Sequence, residues 1–196
     1  MPANFRFSVK VPKAITHTAR LDVTRDVIVA FIDELSVLEA KLGCLLVQLP
    51  PSLVFDATIA KRFFKNLKAA TEVPFACEPR HESWFAPEAD TLLRELQVAR
   101  VAADPARVPA AADPGGSRQL TYFRLHGSPK VYYSSYSNEY IDRLADRLRR
   151  EAADERTVWC IFDNTTLGAA TGNALALSAT LGQGAIHSAS ENSPAL

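Results

Sequence analysis

Phe5-Arg6-Phe7-Ser8-Val9-Lys10-Val11 alternates strictly between apolar and polar side chains. A period of two suits a half-buried strand, so Phe5, Phe7, Val9 and Val11 face one side and Arg6, Ser8 and Lys10 the other. Pro12 ends it. The period then changes to that of a helix: Ile28, Phe31, Ile32, Leu35, Leu38 and Leu42 share one face. Thr24 or Asp22 is placed to cap that helix, and Gly43 to stop it. Leu45–Leu49 predicts a second strand, cut off by Pro50-Pro51. Asp56 then opens a helix whose inner face is Ile59, Phe63, Leu67 and Ala70.

The alternation continues. Phe75–Glu78 predicts strand three, Pro87–Leu96 a helix with proline in its favoured first turn, and Val98–Asp104 strand four. Residues 105–118 mix Pro, Ala, Asp and Gly-Gly-Ser without periodicity and predict a loop with no regular structure. Leu120–His126 is strand five. Tyr132-Tyr133-Ser134-Ser135-Tyr136 leads into a helix capped by Ser137, with Ile141, Leu144, Ala145 and Leu148 inward. Thr157–Phe162 is strand six, and a last helix, 166–180, is rich in small residues. The expected organisation is one domain over 1–181 and a disordered tail over 182–196.

Six strand-then-helix units without a hairpin signal predict an α/β fold on a parallel sheet. A doubly wound nucleotide fold needs a Gly-rich turn after its first strand, and here that turn is Lys10-Val11-Pro12-Lys13. The polar face of strand one suits the inside of a barrel mouth, so the expected fold is a parallel (β/α) barrel of TIM type. Such barrels take about 250 residues and eight strands. At 196 residues the chain reads as an N-terminally incomplete barrel with six βα units visible.

Composition narrows the partners. Twenty-two basic residues balance twenty-two acidic ones, which disfavours a general electrostatic grip on nucleic acid or anionic lipid. Cys44, Cys77 and Cys160 are far apart, with no CxxC pair, and read as buried reduced thiols. No apolar run approaches bilayer length, and the expectation is a cytoplasmic protein without membrane association.

Chemistry collects at the strand ends: Lys10, Gln48, Glu78 with Arg80 and His81, Asp104, Arg124 with His126, and Asp163 with Asn164. Parallel α/β folds bind their ligands at this rim, because the carboxyl ends of the strands converge there. Glu78 and Arg80 share parity, as do Arg124 and His126, so each pair points to one side. Some of these residues have purely structural uses: Asp104 and Asp163-Asn164 suit helix caps, and salt bridges across the mouth would use the same charges.

Cations among the carboxylates and imidazoles suit an anionic small molecule, phosphorylated or carboxylated, handled by acid–base or hydrolytic chemistry. Glu78, His81, Asp104, His126 and Asp163 are the catalytic candidates. Lys10, Gln48, Arg80, Trp84, Arg124, Tyr133 and Asn164 are the binding candidates, with Trp84, Tyr132, Tyr133 and Tyr136 able to wall a pocket. No cofactor is expected. Two alternatives stand: a nucleic-acid-binding or metal-dependent phosphodiesterase-like protein using the same carboxylates and imidazoles on a divalent ion, and a non-catalytic binding module.

The assembled motifs resemble the YecE-like family, a group of unknown function with a TIM-barrel-like fold. They are Phe7-Ser8-Val9-Lys10-Val11-Pro12-Lys13 with Ile15-Thr16-His17, Gln48-Leu49-Pro50-Pro51-Ser52, Glu78-Pro79-Arg80-His81-Glu82-Ser83-Trp84, Arg124-Leu125-His126-Gly127 and Phe162-Asp163-Asn164-Thr165. Pro79 departs from the family pattern. So does the front of the chain, which lacks the Gly-Thr-Ser-Gly-Trp-like and Asn-Ser-Thr-Phe-Tyr-like strands of the first two units. The resemblance implies a fold and a site location but no reaction. It also implies open sheet edges at Phe5–Val11 and Val158–Phe162, with poor solubility or self-association through them, unless Met1 is an internal start of a longer protein.

Overall fold

The structure, a computed structural model, describes residues 2–153 and 156–190, the side chains of 183–190 excepted. The chain divides into two compact units, Met1–Ala102 with Ala106–Tyr122, and Ala103–Pro105 with Phe123–Leu196.

In the first unit, β1 (Phe7–Lys10), β2 (Leu42–Gln48), β3 (Phe75–Glu78) and β4 (Ala99–Arg100) pair in parallel, in chain order. The helices α1 (Arg25–Glu34), α2 (Ala57–Ala70) and α3 (Pro87–Glu95) connect them. Asp56 caps α2 by accepting from the Ile59 N–H at 2.9 Å. The inner face of α2 buries Ala60, Phe63, Phe64 and Leu67. Phe64 stacks on Phe75 of β3 with ring centroids 6.1 Å apart. Fully burying each such side chain is worth about 1.5–3 kcal/mol, and the core they form runs from Val11 to Val98.

Two expectations are corrected here. The first long helix ends at Glu34, and a 3-10 turn, Ser36–Lys41, carries the chain into β2. Gly43 therefore lies inside β2 instead of stopping a helix; the break falls where Glu39 adopts φ 46°. Residues 105–118 are also not structureless. They contain a 3-10 turn, Pro109–Ala112, and a two-residue strand antiparallel to β4, Gly115–Gly116.

A charged clamp explains this second difference. Asp90 of α3 accepts from the Gly116 N–H at 2.9 Å and pairs with Arg100, which donates to the Ala110 carbonyl at 2.8 Å. Burial alone would raise the Asp90 carboxyl, but the Gly116 N–H and the Arg94 and Arg100 guanidiniums hold it below the ordinary range. Gly116 sits at φ 64°, and a Cβ there would overlap the Val98 carbonyl oxygen. The expected fourth strand is itself divided: after β4, β5 (Ala102–Asp104) belongs to a different sheet. Gly115–Gly116 is thus β6 in chain order.

That different sheet has the order β5, β7 (Leu120–Leu125), β8 (Thr157–Phe162). The second unit adds α4 (Asn138–Ala152) and α5 (Ala169–Ser190), which pack against each other. Ser137 caps α4 as the sequence predicts, and Ile141, Leu144, Ala145 and Leu148 are its buried face. Arg149 of α4 donates to the Thr180 carbonyl of α5 at 2.6 Å. The helix α5 continues to Ser190, beyond the expected end at 180; residues 191–196 of the expected tail lie outside the described residues.

The architecture is thus α/β with parallel pairing, but no closed barrel forms among the described residues. The strand β1 stands at one end of the five-stranded order, and β8 at one end of the three-stranded order.

Candidate functional site

In the first unit the parallel register sets the rim. Lys10 is level with Leu46, and Gln48 with Glu78, so the last residues of β1, β2 and β3 reach the same edge of the sheet. Glu78 is 1% exposed, a carboxylate that burial would make costly without a partner. Arg80, two residues on and on the same side, supplies one: its Nη2 donates to Glu78 Oε1 at 2.8 Å. The shared parity seen in the sequence is therefore realised as an ion pair.

The turn after β1, Ala14–Thr18, brings two residues that the sequence reading did not select, Lys13 and His17. The Thr16 Oγ1 is 2.8 Å from His17 Nδ1. Partial burial, then the charges of Lys13, Lys10 and Arg80, hold the His17 imidazole below its ordinary value of 6.5. Lys13, Lys10 and Arg80 thus each lie within electrostatic reach of His17. Ile15-Thr16-His17 was visible as part of a family motif, but nothing in its spacing assigned it chemistry.

His81 and Trp84 take structural places. The His81 Nδ1 accepts from the Ser83 N–H at 3.2 Å and lies 2.9 Å from Ser83 Oγ, capping the short 3-10 turn Glu82–Phe85. Trp84 is 1% exposed, donates its indole N–H to the Leu53 carbonyl at 2.9 Å and meets Phe55 edge-on. Both were expected in the site, as catalyst and as pocket wall. Each has a structural contact as well, and Trp84 also lines a cleft with Arg20, Leu53 and Phe55.

In the second unit the polar groups concentrate on Asp163. Its Oδ2 accepts from Arg124 Nη2 at 2.9 Å and from His126 Nδ1 at 3.0 Å. Arg124 and His126, 7% and 4% exposed, come to the same carboxylate because they are alternate residues of one extended segment. Asp163 is thus not the helix cap that the sequence also allowed.

Asp104 is held from another direction. The Tyr136 hydroxyl donates to Asp104 Oδ2 at 2.7 Å and accepts from the Gly127 N–H at 2.8 Å. Burial, reinforced by the Asp104 hydrogen bond, pushes the Tyr136 hydroxyl above its ordinary ionisation range. Asn164 is fully buried and donates to the Ser134 carbonyl and to Asn173 Oδ1, both at 2.9 Å. Its Nδ2 braces the loop after β7 against α5, and its Oδ1 is buried without a hydrogen-bond partner among the described residues. Tyr133 is 39% exposed, with Lys130 Nζ 4.1 Å from its ring centroid.

A histidine oriented by a carboxylate is equipped to take or give a proton, and a guanidinium on the same carboxylate adds a charge-assisted hydrogen bond. Among the described residues no three His, Cys, Asp or Glu side chains gather as a metal centre. No helix among them is long and apolar enough to cross a membrane.

The family model described as protein of unknown function DUF72 matches residues 1–195. A crystal structure of a DUF72 family protein from Thermotoga maritima MSB8 superposes with a TM-score of 0.77 at 24% identity, covering 92% of this chain and 75% of that one. A DUF72 family protein from Enterococcus faecalis V583 is similar in two crystal structures. One gives a TM-score of 0.77 at 22% identity over 92% of this chain and 76% of that one. The other gives 0.76 at 23% over 93% and 80%. At these identities the likeness is one of fold. No curated protein matches the chain.

Proposed function

The chain belongs to the DUF72 family, and we propose that its second unit carries an acid–base site for a phosphorylated or carboxylated small molecule, with His126 as the proton-transfer group. The observation that carries this reading is the Asp163 carboxylate joining Arg124 and His126 at 2.9 and 3.0 Å. A purely structural ion pair needs only the carboxylate and the guanidinium. The buried imidazole adds a group able to take up and release a proton, which an ion pair alone does not need.

In this reading Asp163 positions His126, and Arg124 pairs with the same carboxylate. The first unit's rim is by itself a candidate anion-binding surface, where Lys13, Lys10 and Arg80 act on His17 and Glu78 pairs with Arg80. The finer family reading, a YecE-like chain carrying six units of a TIM-type barrel, accompanies this proposal. It is supported by the strand-end motifs and by β1 and β8 standing at sheet ends.

A thermal-shift screen of phosphorylated and carboxylated metabolites tests it. At least one compound is expected to stabilise the wild type and to lose that effect in His126→Asn, whose amide still donates to Asp163. A screen without any stabilising compound, or one whose compounds stabilise His126→Asn equally, would refute the assignment.

A further inference from the structure

Pro50-Pro51 ends β2 and Asp56 caps α2, so Leu53-Val54-Phe55 belongs to neither element and forms a wall of its own. With the segment Ala19–Asp22, the start of α2 and Trp84, it encloses a cleft of about 440 Å³. All of these residues lie in the first unit. The volume falls within the range of small-molecule sites, and Leu21, Val54, Phe55, Ile59 and Trp84 make the lining mainly apolar.

The walls are braced without a ligand. The Leu53 carbonyl accepts the Trp84 indole N–H at 2.9 Å, and the Phe55 N–H donates to Ser83 Oγ at 2.8 Å. The Leu21 N–H reaches the Ile15 carbonyl at 3.0 Å. Two polar links then join the facing segments: Arg20 donates to the Ser52 carbonyl at 2.8 Å and to its Oγ at 3.2 Å, and Asp22 pairs with Arg62 of α2. A cleft held open in this way needs little ordering when a molecule enters it.

The charges at the lining select the molecule. They are Arg20, Asp22 and Asp56. The Asp22 carboxylate is answered by Arg62, and that of Asp56 by the Ile59 N–H at the start of α2. Arg20 has no carboxylate on it; among the described residues Ser52 is its hydrogen-bond partner, taking two of the five guanidinium N–H groups. The charge left to complement is therefore positive, and a carboxylate matches the guanidinium fork. Two acidic side chains on the same lining disfavour a multiply charged anion such as a phosphate monoester.

We propose that this cleft binds a small monocarboxylic acid with an apolar body, its carboxylate on Arg20 and its body against Phe55, Ile59 and Trp84. The site shares no residue with the rim groups Lys10, Lys13, His17 and Arg80 or with the Asp163 centre, so it stands apart from the function proposed above.

NMR titration of the whole chain tests it with 3-phenylpropionate, 4-methylpentanoate, 3-phenylpropanol and acetate, against wild type, Arg20→Gln and Val54→Glu. Wild type is expected to bind the two larger acids with dissociation constants of about 1 mM, shifting the Leu21 and Phe55 amides. The alcohol should bind about tenfold more weakly, and acetate more weakly still. Arg20→Gln should bring 3-phenylpropionate down to the affinity of the alcohol and leave the alcohol unchanged. Val54 is 55% exposed, so Val54→Glu should keep the melting temperature within about 3 °C while its carboxylate weakens both acids about tenfold. Equal wild-type affinity for acid and alcohol, or undiminished acid binding in Arg20→Gln, would make Arg20 only a clamp between the walls and overturn the proposal. So would the failure of both larger acids to bind, or amide shifts confined to residues outside the cleft. If Arg20→Gln loses acid and alcohol alike because the walls part, Val54→Glu decides: wild-type affinity for the acids there overturns the proposal, and the tenfold loss supports it.

Discussion

Replacing Tyr136 by phenylalanine removes one oxygen and leaves the ring. The ring keeps its stacking on Tyr140, centroids 4.4 Å apart, and its edge contact with Phe162 at 5.9 Å. What disappears is a hydroxyl that donates to the Asp104 carboxylate at 2.7 Å and accepts from the Gly127 N–H at 2.8 Å. A hydrogen bond to a charged group contributes about 1.5–3 kcal/mol, and orphaning a buried donor costs about 1–3 kcal/mol. Asp104 is only half-buried, so water replaces part of the first loss. The expected destabilisation is therefore about 3 kcal/mol, or a fall of about 6–12 °C in melting temperature for a chain of this size.

Urea unfolding followed by far-UV circular dichroism gives the free energy, and hydrogen exchange gives the location. The Gly127 amide should lose protection more than amides of β1–β3. A destabilisation below about 1 kcal/mol with Gly127 protection unchanged would refute the view that this hydroxyl holds the second unit's rim together.

Trp84→Ala should destabilise by about 3–5 kcal/mol in the same denaturation assay, because the side chain is 1% exposed; a loss below about 1.5 kcal/mol would return Trp84 to the pocket wall. His17, held below 6.5 when folded, gives stability that is complete above that value and lost as pH falls through the folded pKa, since the unfolded chain then binds more protons. His17→Gln should flatten that decline, and phosphate should raise the imidazole pKa seen by NMR; an unshifted titration would disconnect His17 from any anion. Burial pushes the Cys44 and Cys160 thiols up to about 12 and raises Cys77 further from its thiolate. Ellman's reagent at pH 8 should therefore react slowly with the native chain and fully after denaturation, whereas rapid native reaction would contradict their burial.

The elements legible in the sequence were those with a strong period and a chemical stop. The α4 stripe and its Ser137 cap, the Asp56 cap of α2 and the span of β8 all follow from local pattern. What was not legible depended on distant partners. Residues 105–118 have no period, and only the Asp90–Arg100 clamp, built from α3 and β4, gives Gly115–Gly116 a strand to pair with. Gly43 looked like a helix stop because a glycine after an apolar stripe has that local meaning, whereas the break at Glu39 has no local signature.

The site divides the same way. Parity placed Arg80 on Glu78 and brought Arg124 and His126 to one side, since alternation along a strand is a local property. It could not tell that the His81 ring would cap the turn at Ser83, or that the Asn164 amide would donate to Ser134 and Asn173. Lys13 and His17 were missed for the opposite reason. A lysine and a histidine in a short turn are unremarkable until the β1–β2–β3 register sets them on the edge that Arg80 also reaches.

A crystal of the protein soaked in phosphate, with anomalous data collected for divalent metals, bears most directly on the anionic-ligand reading. Ordered phosphate within hydrogen-bond distance of Lys10, His17 or Arg80 is the expected result. Stoichiometric metal on Asp163 and His126, or phosphate ordered only away from these strand ends, would contradict it.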